Sequence, residues 1–141
     1  MIKKNFNPGN YSQKVNLVFL LLRIGAGVLM LTHGLGKSSM LFGAGPIQFA
    51  DPIGAGATAS LALTVFAEVF CSALLIFGMA TRLAVVPLLT TMLVAVFIVH
   101  ANDAFGKKEM GLLYILVYLT LAITGAGKFS IDNLIYKKIN R

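Results

Sequence analysis

The sequence predicts an all-α, integral membrane fold: an antiparallel four-helix bundle with a long outer loop between helices 1 and 2. Three observations predict it. The 141 residues are 57% hydrophobic and only 12% charged, with a mean hydropathy of +0.84, outside the range of an ordinary soluble domain. Four apolar segments, 15–32, 59–77, 83–99 and 110–126, have about the 17 to 25 residues that a helix needs to cross a hydrocarbon core of roughly 30 Å. Lysine and arginine gather at the boundaries of these segments instead of in one stripe, which argues for membrane topology and against nucleic-acid binding despite a net charge of +7.

The polar, basic opening MIKKNFNPGNYSQK precedes the first span, and no small-x-small cleavage pattern closes that span, so it is expected to stay as an anchor. The second and third spans are joined only by GMATR, which requires a tight antiparallel hairpin. Pro87 lies near the start of the third span, where a missing backbone donor costs least. The loop after the first span is long and glycine-rich. Pro46 can start a short interfacial helix there, with Phe42 and Phe49 dipping among headgroups, or the segment is a plain connector. A loop of this length usually caps something.

Lys3, Lys4, Lys14, Arg82, Lys128, Lys137, Lys138 and Arg141 fall on one side of the spans and Lys37, Lys107 and Lys108 on the other. This bias predicts a multi-pass protein of the cell (plasma) membrane with both termini cytoplasmic. The chain then divides into a cytoplasmic N-terminal segment, 1–14, a transmembrane domain, 15–126, and a basic cytoplasmic tail, 127–141, suited to an anionic leaflet.

Arg23 and Glu68 lie near the midpoints of the first and second spans. A charge at such a depth costs about 2.5 to 3.5 kcal/mol, which is best offset if the two meet. At 100° per residue, Asn16, Arg23, Gly27, Met30 and Gly34 share one face of the first helix, Thr64, Glu68 and Ser72 one face of the second, and Gly111, Tyr114, Tyr118 and Gly125 one face of the fourth. The expected polar core is an Arg23–Glu68 pair joined by the Tyr118 hydroxyl. Read as structure, it fixes helix packing; read as function, it handles protons, a polar headgroup or a quinone carbonyl.

His33 and His100 end the first and third spans and are expected near the outer interface, with Asp51 and Asp103 on the same side. Their roles are proton exchange or hydrogen bonding with a quinone headgroup, in preference to haem or metal ligation, for which no paired ligand motif is present. The single cysteine, Cys71, sits inside the second span and reads as a small apolar filler. No G-x-G-x-x-G, P-loop or nucleophile elbow occurs.

The segments LLRIGAGVLMLTHGLGK, AEVFCSALLIFGMATRLA, TMLVAVFIVHA and LLYILVYLTLAITGAGKFSIDNLI resemble the DoxX family of small four-helix membrane proteins, over about Leu21 to Leu134. The resemblance rests on HG-x-GK after the first span, the Ala-Glu pair in the second, the G-x-x-TR turn and the late histidine of the third. It implies similarity to quinone-linked thiosulfate oxidoreductase subunits, whose membrane component passes electrons toward quinone beside a second subunit. By motif position it carries over Arg23, His33, Lys37, Glu68, Arg82 and His100 as candidates.

The expected function is therefore a membrane subunit of an oxidoreductase complex, interacting with quinone. Glu68, His33 and His100 are its candidate catalytic groups, and Arg23, Lys37 and Tyr118 its candidate substrate or quinone ligands. A soluble or membrane redox partner supplies electrons, and an oligomer is compatible with this reading. The alternatives are a non-catalytic assembly or stabilising subunit and a small proton-coupled transporter.

Overall fold

The computed structural model describes residues 6–140. Lys3, Lys4 and Arg141, three of the boundary cations, lie outside the described residues. Helices, turns and loops account for all of these residues, with no strand among them. The helices are α1 (Gln13–Phe42), α2 (Ala57–Phe77), α3 (Thr81–Val99), α4 (Phe105–Thr124) and α5 (Ile131–Ile139). The first three are long and apolar enough to cross a membrane. α4 opens with Lys107, Lys108 and Glu109 and is apolar only from Met110 onward.

α1 runs ten residues past the expected end of the first span at Thr32. The stretch HGLGKSSMLF looks like a loop by composition, yet no proline interrupts it. Its hydroxyls bond back to a helix carbonyl, both Ser38 and Ser39 to Leu35. Thirty residues make a rod of about 45 Å, longer than a hydrocarbon core of roughly 30 Å. The outer loop is correspondingly shorter, and residues 46–50 are not helical, so the interfacial helix expected from Pro46 does not form.

α1 packs on α2, α2 on α3, α3 on α4, and α4 returns to α1. Gly27 of α1 lies against Ser72 and Ile76, and Gly34 against Glu68 and Val69, so α1 and α2 run in opposite directions. The buried residues of α1, Asn16, Phe19, Arg23, Ala26, Gly27, Met30 and Gly34, include the whole face predicted from helical spacing. The interior is apolar, centred on Met30, Leu75, Val85, Leu88, Tyr118 and Leu121. Leu21, Phe70, Val86, Phe97, Leu116 and Ile123 point outward, as lipid-facing side chains do.

Two helices change pitch partway. α2 is π-helical over Phe66–Cys71 and α3 over Ala95–Val99, where the His100 amide reaches back five residues to the Ala95 carbonyl. Such turns admit an extra residue and are frequent at functional sites.

At the other end, α2 stops at Gly78 in the left-handed conformation (φ 65°), and a Cβ placed there would sit 1.9 Å from an Arg23 guanidinium nitrogen. Ala80, also left-handed (φ 49°), leads into α3 without a side-chain cap of its own. Asp132 of α5 supplies one: its carboxylate accepts from the amides of Ala80 (2.6 Å) and Thr81 (2.9 Å). Within the stretch expected to be a basic tail, α5 is thus docked beneath the α2–α3 turn.

Candidate functional site

The expected Arg23–Glu68 pair does not form. Gly34 is the α1 residue opposite Glu68, and Arg23 lies eleven residues earlier, about 16 Å down the helix axis. The expected register took Arg23 as the midpoint of a span ending at Thr32, and the extra turns of α1 move that midpoint outward. Arg23 is fully buried and donates to the carbonyls of Leu75 (3.2 Å), Ile76 (3.4 Å) and Phe129 (2.6 Å). It ties the end of α2 to the segment before α5. Tyr118 does not bridge the two charges either. It is buried in the core with its ring against Tyr114 (centroids 5.7 Å apart), and its hydroxyl has no hydrogen-bond partner among the described residues.

Glu68 instead meets Lys37, whose ammonium lies 2.5 and 2.7 Å from the two carboxylate oxygens. The HG-x-GK and Ala-Glu motifs are one structure. At Gly34 a Cβ would come within 2.9 Å of Glu68 main-chain and side-chain carbon, so only glycine lets α1 approach this closely. Lys37, nearly one turn further along, then reaches over to the carboxylate. Glu68 is 1% exposed and Lys37 32%, so a buried carboxylate is neutralised by a cation that keeps access to the surroundings.

The pair forms part of the wall of a cavity of about 310 Å³ between α2 and α3. Leu63, Met92, Val94, Ala95 and Val99 make its walls apolar, and Ser60, Thr64, Thr90 and Thr91 add hydroxyls. Phe49, Ala50, Pro52 and Ile53 of the outer loop also line it, and the cavity is partly open. Each π-helical turn contributes to the lining, Glu68 from α2 and Ala95 and Val99 from α3.

Asp51 organises the loop. Its carboxylate accepts from the amides of Ala55 (3.0 Å) and Gly56 (2.9 Å) and from the hydroxyl of Ser60 (2.7 Å). These bonds, the Ser60 hydroxyl first, hold the Asp51 carboxyl below the usual carboxylate range. His100 also lines the cavity, and its Nδ1 lies 2.7 Å from Asp103, which Lys107 approaches to 3.5 Å. The hydrogen bond with His100 is the main cause of a lowered Asp103 pKa.

Of the residues singled out in the sequence, the structure brings Lys37, Glu68 and His100 to one cavity and leaves Arg23, His33 and Tyr118 outside it. His33 is exposed on α1, one position before the glycine that faces Glu68, and so points away. Arg82 belongs to the opposite end, donating to the Ile123 carbonyl at 3.1 Å. Hydropathy puts Lys37 in a loop after Thr32, which hides its contact with Glu68. Its signal was the glycine face of α1, which continues through Gly34. No group of three or more metal-ligating side chains occurs among the described residues.

Several helices long and apolar enough to cross a bilayer mark the chain as a membrane protein, with an ion pair set beside a largely apolar, partly open cavity. The DoxX family model matches residues 18–101, and the chain belongs to the DoxX family. It is 31% identical over 119 residues to "Putative oxidoreductase CatD" of Bacillus subtilis, covering 84% of this chain and 87% of that one. It is 32% identical to "Inner membrane protein YqjF" of Escherichia coli, over 84% of this chain and 92% of the relative. An uncharacterised protein of Haemophilus influenzae is 33% identical over 92% of this chain and 99% of its own length. No solved structure matches the chain.

Proposed function

We propose that this protein is the quinone-interacting membrane subunit of an oxidoreductase complex, and that the cavity beside Lys37 and Glu68 receives the quinone headgroup. The single observation that carries this reading is the ion pair between buried Glu68 and part-exposed Lys37 on the wall of a largely apolar cavity. A quinone ring needs flat apolar walls, a donor for a carbonyl oxygen and a group that exchanges protons as the oxygen becomes a hydroxyl. Lys37 is the donor, Glu68 the proton-exchanging group, and His100 with Asp103 the route for protons toward the outer side. The two electrons come from a redox partner. The name of the Bacillus subtilis relative supports an oxidoreductase role.

In this reading α1 to α4 all span the membrane as an antiparallel four-helix bundle, with both termini cytoplasmic and the cavity toward the outer face. Glu68→Gln keeps the shape of the site and removes its proton chemistry. The expected result is a loss of quinone-dependent turnover of at least tenfold, with unchanged amounts of protein in the membrane. Ala95→Phe, which fills the cavity and leaves the pair intact, should abolish copurification of quinone measured by mass spectrometry. Normal turnover and quinone content in both variants would overturn the proposal.

A second reading, a non-catalytic assembly subunit, is favoured by the role of Arg23, Gly78 and Arg82, which hold segments of the chain together away from the cavity. It predicts that Glu68→Gln lowers the yield of the complex rather than its turnover.

A further inference from the structure

α5 is amphipathic in the reverse of the usual sense. At 100° per residue Ile131, Leu134, Ile135, Lys138 and Ile139 share one side of the helix, and Asp132, Asn133 and Tyr136 the other. The polar side is the one packed against the protein, with Asp132 2% and Asn133 7% exposed. It is held there by the two amides that Asp132 caps and by a bond from Asn133 Nδ2 to the Lys128 carbonyl (2.7 Å). The apolar side is left largely uncovered, with Leu134 65% and Ile139 41% exposed, Ile131 and Ile135 half-buried, and Phe129 just before the helix 45% exposed.

In water such an arrangement wastes the apolar face. It is economical at the edge of a bilayer. α5 is docked on the Gly78–Thr81 turn, where α2 ends and α3 begins, and Phe77 and Leu83 at these two helix ends are themselves exposed. Lys128, Lys137 and Lys138 are exposed around it. Lys138, within the apolar face, and Lys137, at its border, can bury their stems along it and hold their ammonium groups among anionic headgroups.

We propose that α5 is an interfacial helix that binds anionic lipid, its isoleucine and leucine face sunk among the upper acyl carbons and Lys137 and Lys138 pairing with lipid phosphates. The inference is independent of what the cavity holds.

The chain has no tryptophan, so Leu134→Trp introduces a single reporter at an exposed position without touching the core. In nanodiscs of phosphatidylcholine with phosphatidylglycerol, its fluorescence should be quenched by lipids brominated at shallow acyl positions and protected from aqueous iodide. Brominated phosphatidylglycerol should quench it better than brominated phosphatidylcholine at equal mole fraction. In the Lys137→Gln, Lys138→Gln background that preference should fall, by about fivefold for each lysine removed. Ile139→Trp gives a second reporter on the same face. Iodide quenching without bromine quenching at both positions would overturn the proposal, as would equal quenching by the two lipids. Protection that appears only at high protein density would assign the face to a second copy of the chain and would also overturn it.

Discussion

Gly34 and Gly78 are demanded for different reasons. Gly34 has ordinary helical geometry, and its hydrogen is the only substituent that fits between α1 and the backbone of Glu68. Gly34→Ala must therefore push the helices apart or twist one of them, an overpacking cost of about 1–3 kcal/mol. We expect a lower melting temperature in detergent together with a separated Lys37–Glu68 pair. If the melting temperature is unchanged, the glycine contact has been misjudged. Gly78 combines a left-handed backbone with a guanidinium against its Cα, so both conformation and space exclude a side chain. Its partner Arg23 shows how a charge is kept in an apolar setting, through main-chain carbonyls at the end of α2 and just before α5 together with the nearby charge of Asp132.

The five helices differ in what stabilises their ends. α3 begins after a left-handed alanine and depends on a carboxylate from α5, so Asp132→Ala removes two charge-assisted hydrogen bonds from a buried position. The expected cost is about 2–3 kcal/mol. Fraying of α3 and release of α5 should appear together as faster amide exchange at Ala80 and Thr81 and in residues 131–139. Exchange confined to α5 would mean that α3 starts without its help. The outer loop depends on Asp51, whose pKa is lowered in the folded protein by bonds from Ser60, Gly56 and Ala55. A lowered carboxyl pKa contributes order above the unfolded value of about 3.9 and loses it as pH falls through the folded value. The loop should stay closed at neutral pH and open only in acid below about 4, and Asp51→Asn should open it at neutral pH. Protease sensitivity of the segment 43–56 as a function of pH reads this directly. A loop equally protected at acid and neutral pH would show that its apolar residues hold it without Asp51.

At the scale of the molecule, the sequence made the helical class, the membrane setting and the inward faces legible. Helical spacing picked out Asn16, Arg23, Gly27, Met30 and Gly34, and all five are buried. It did not make depth legible. A span was ended where hydropathy fell, at Thr32, whereas the helix ends only where hydrogen bonding and packing cease, at Phe42. That ten-residue difference set Arg23 opposite Glu68 on paper and put Lys37 in a loop. The loop residues lining the cavity, Phe49, Ala50, Pro52 and Ile53, carry no periodic signal, and their role comes from tertiary contact alone. α5 is hidden because its short charged stretch reads as a tail, and the bonds that dock it run from Asp132 to the start of α3, more than fifty positions away in the chain.

The separation of Arg23 from Glu68 divides the molecule into two independent anchorages. The guanidinium is bound through its Nη atoms to main-chain carbonyls, with the charge of Asp132 nearby, so its hold on the scaffold does not run through the residues that line the cavity, some 16 Å along the helix axis. Substitutions in the cavity wall should leave that clasp, and the joint it makes between α2 and the segment before α5, intact.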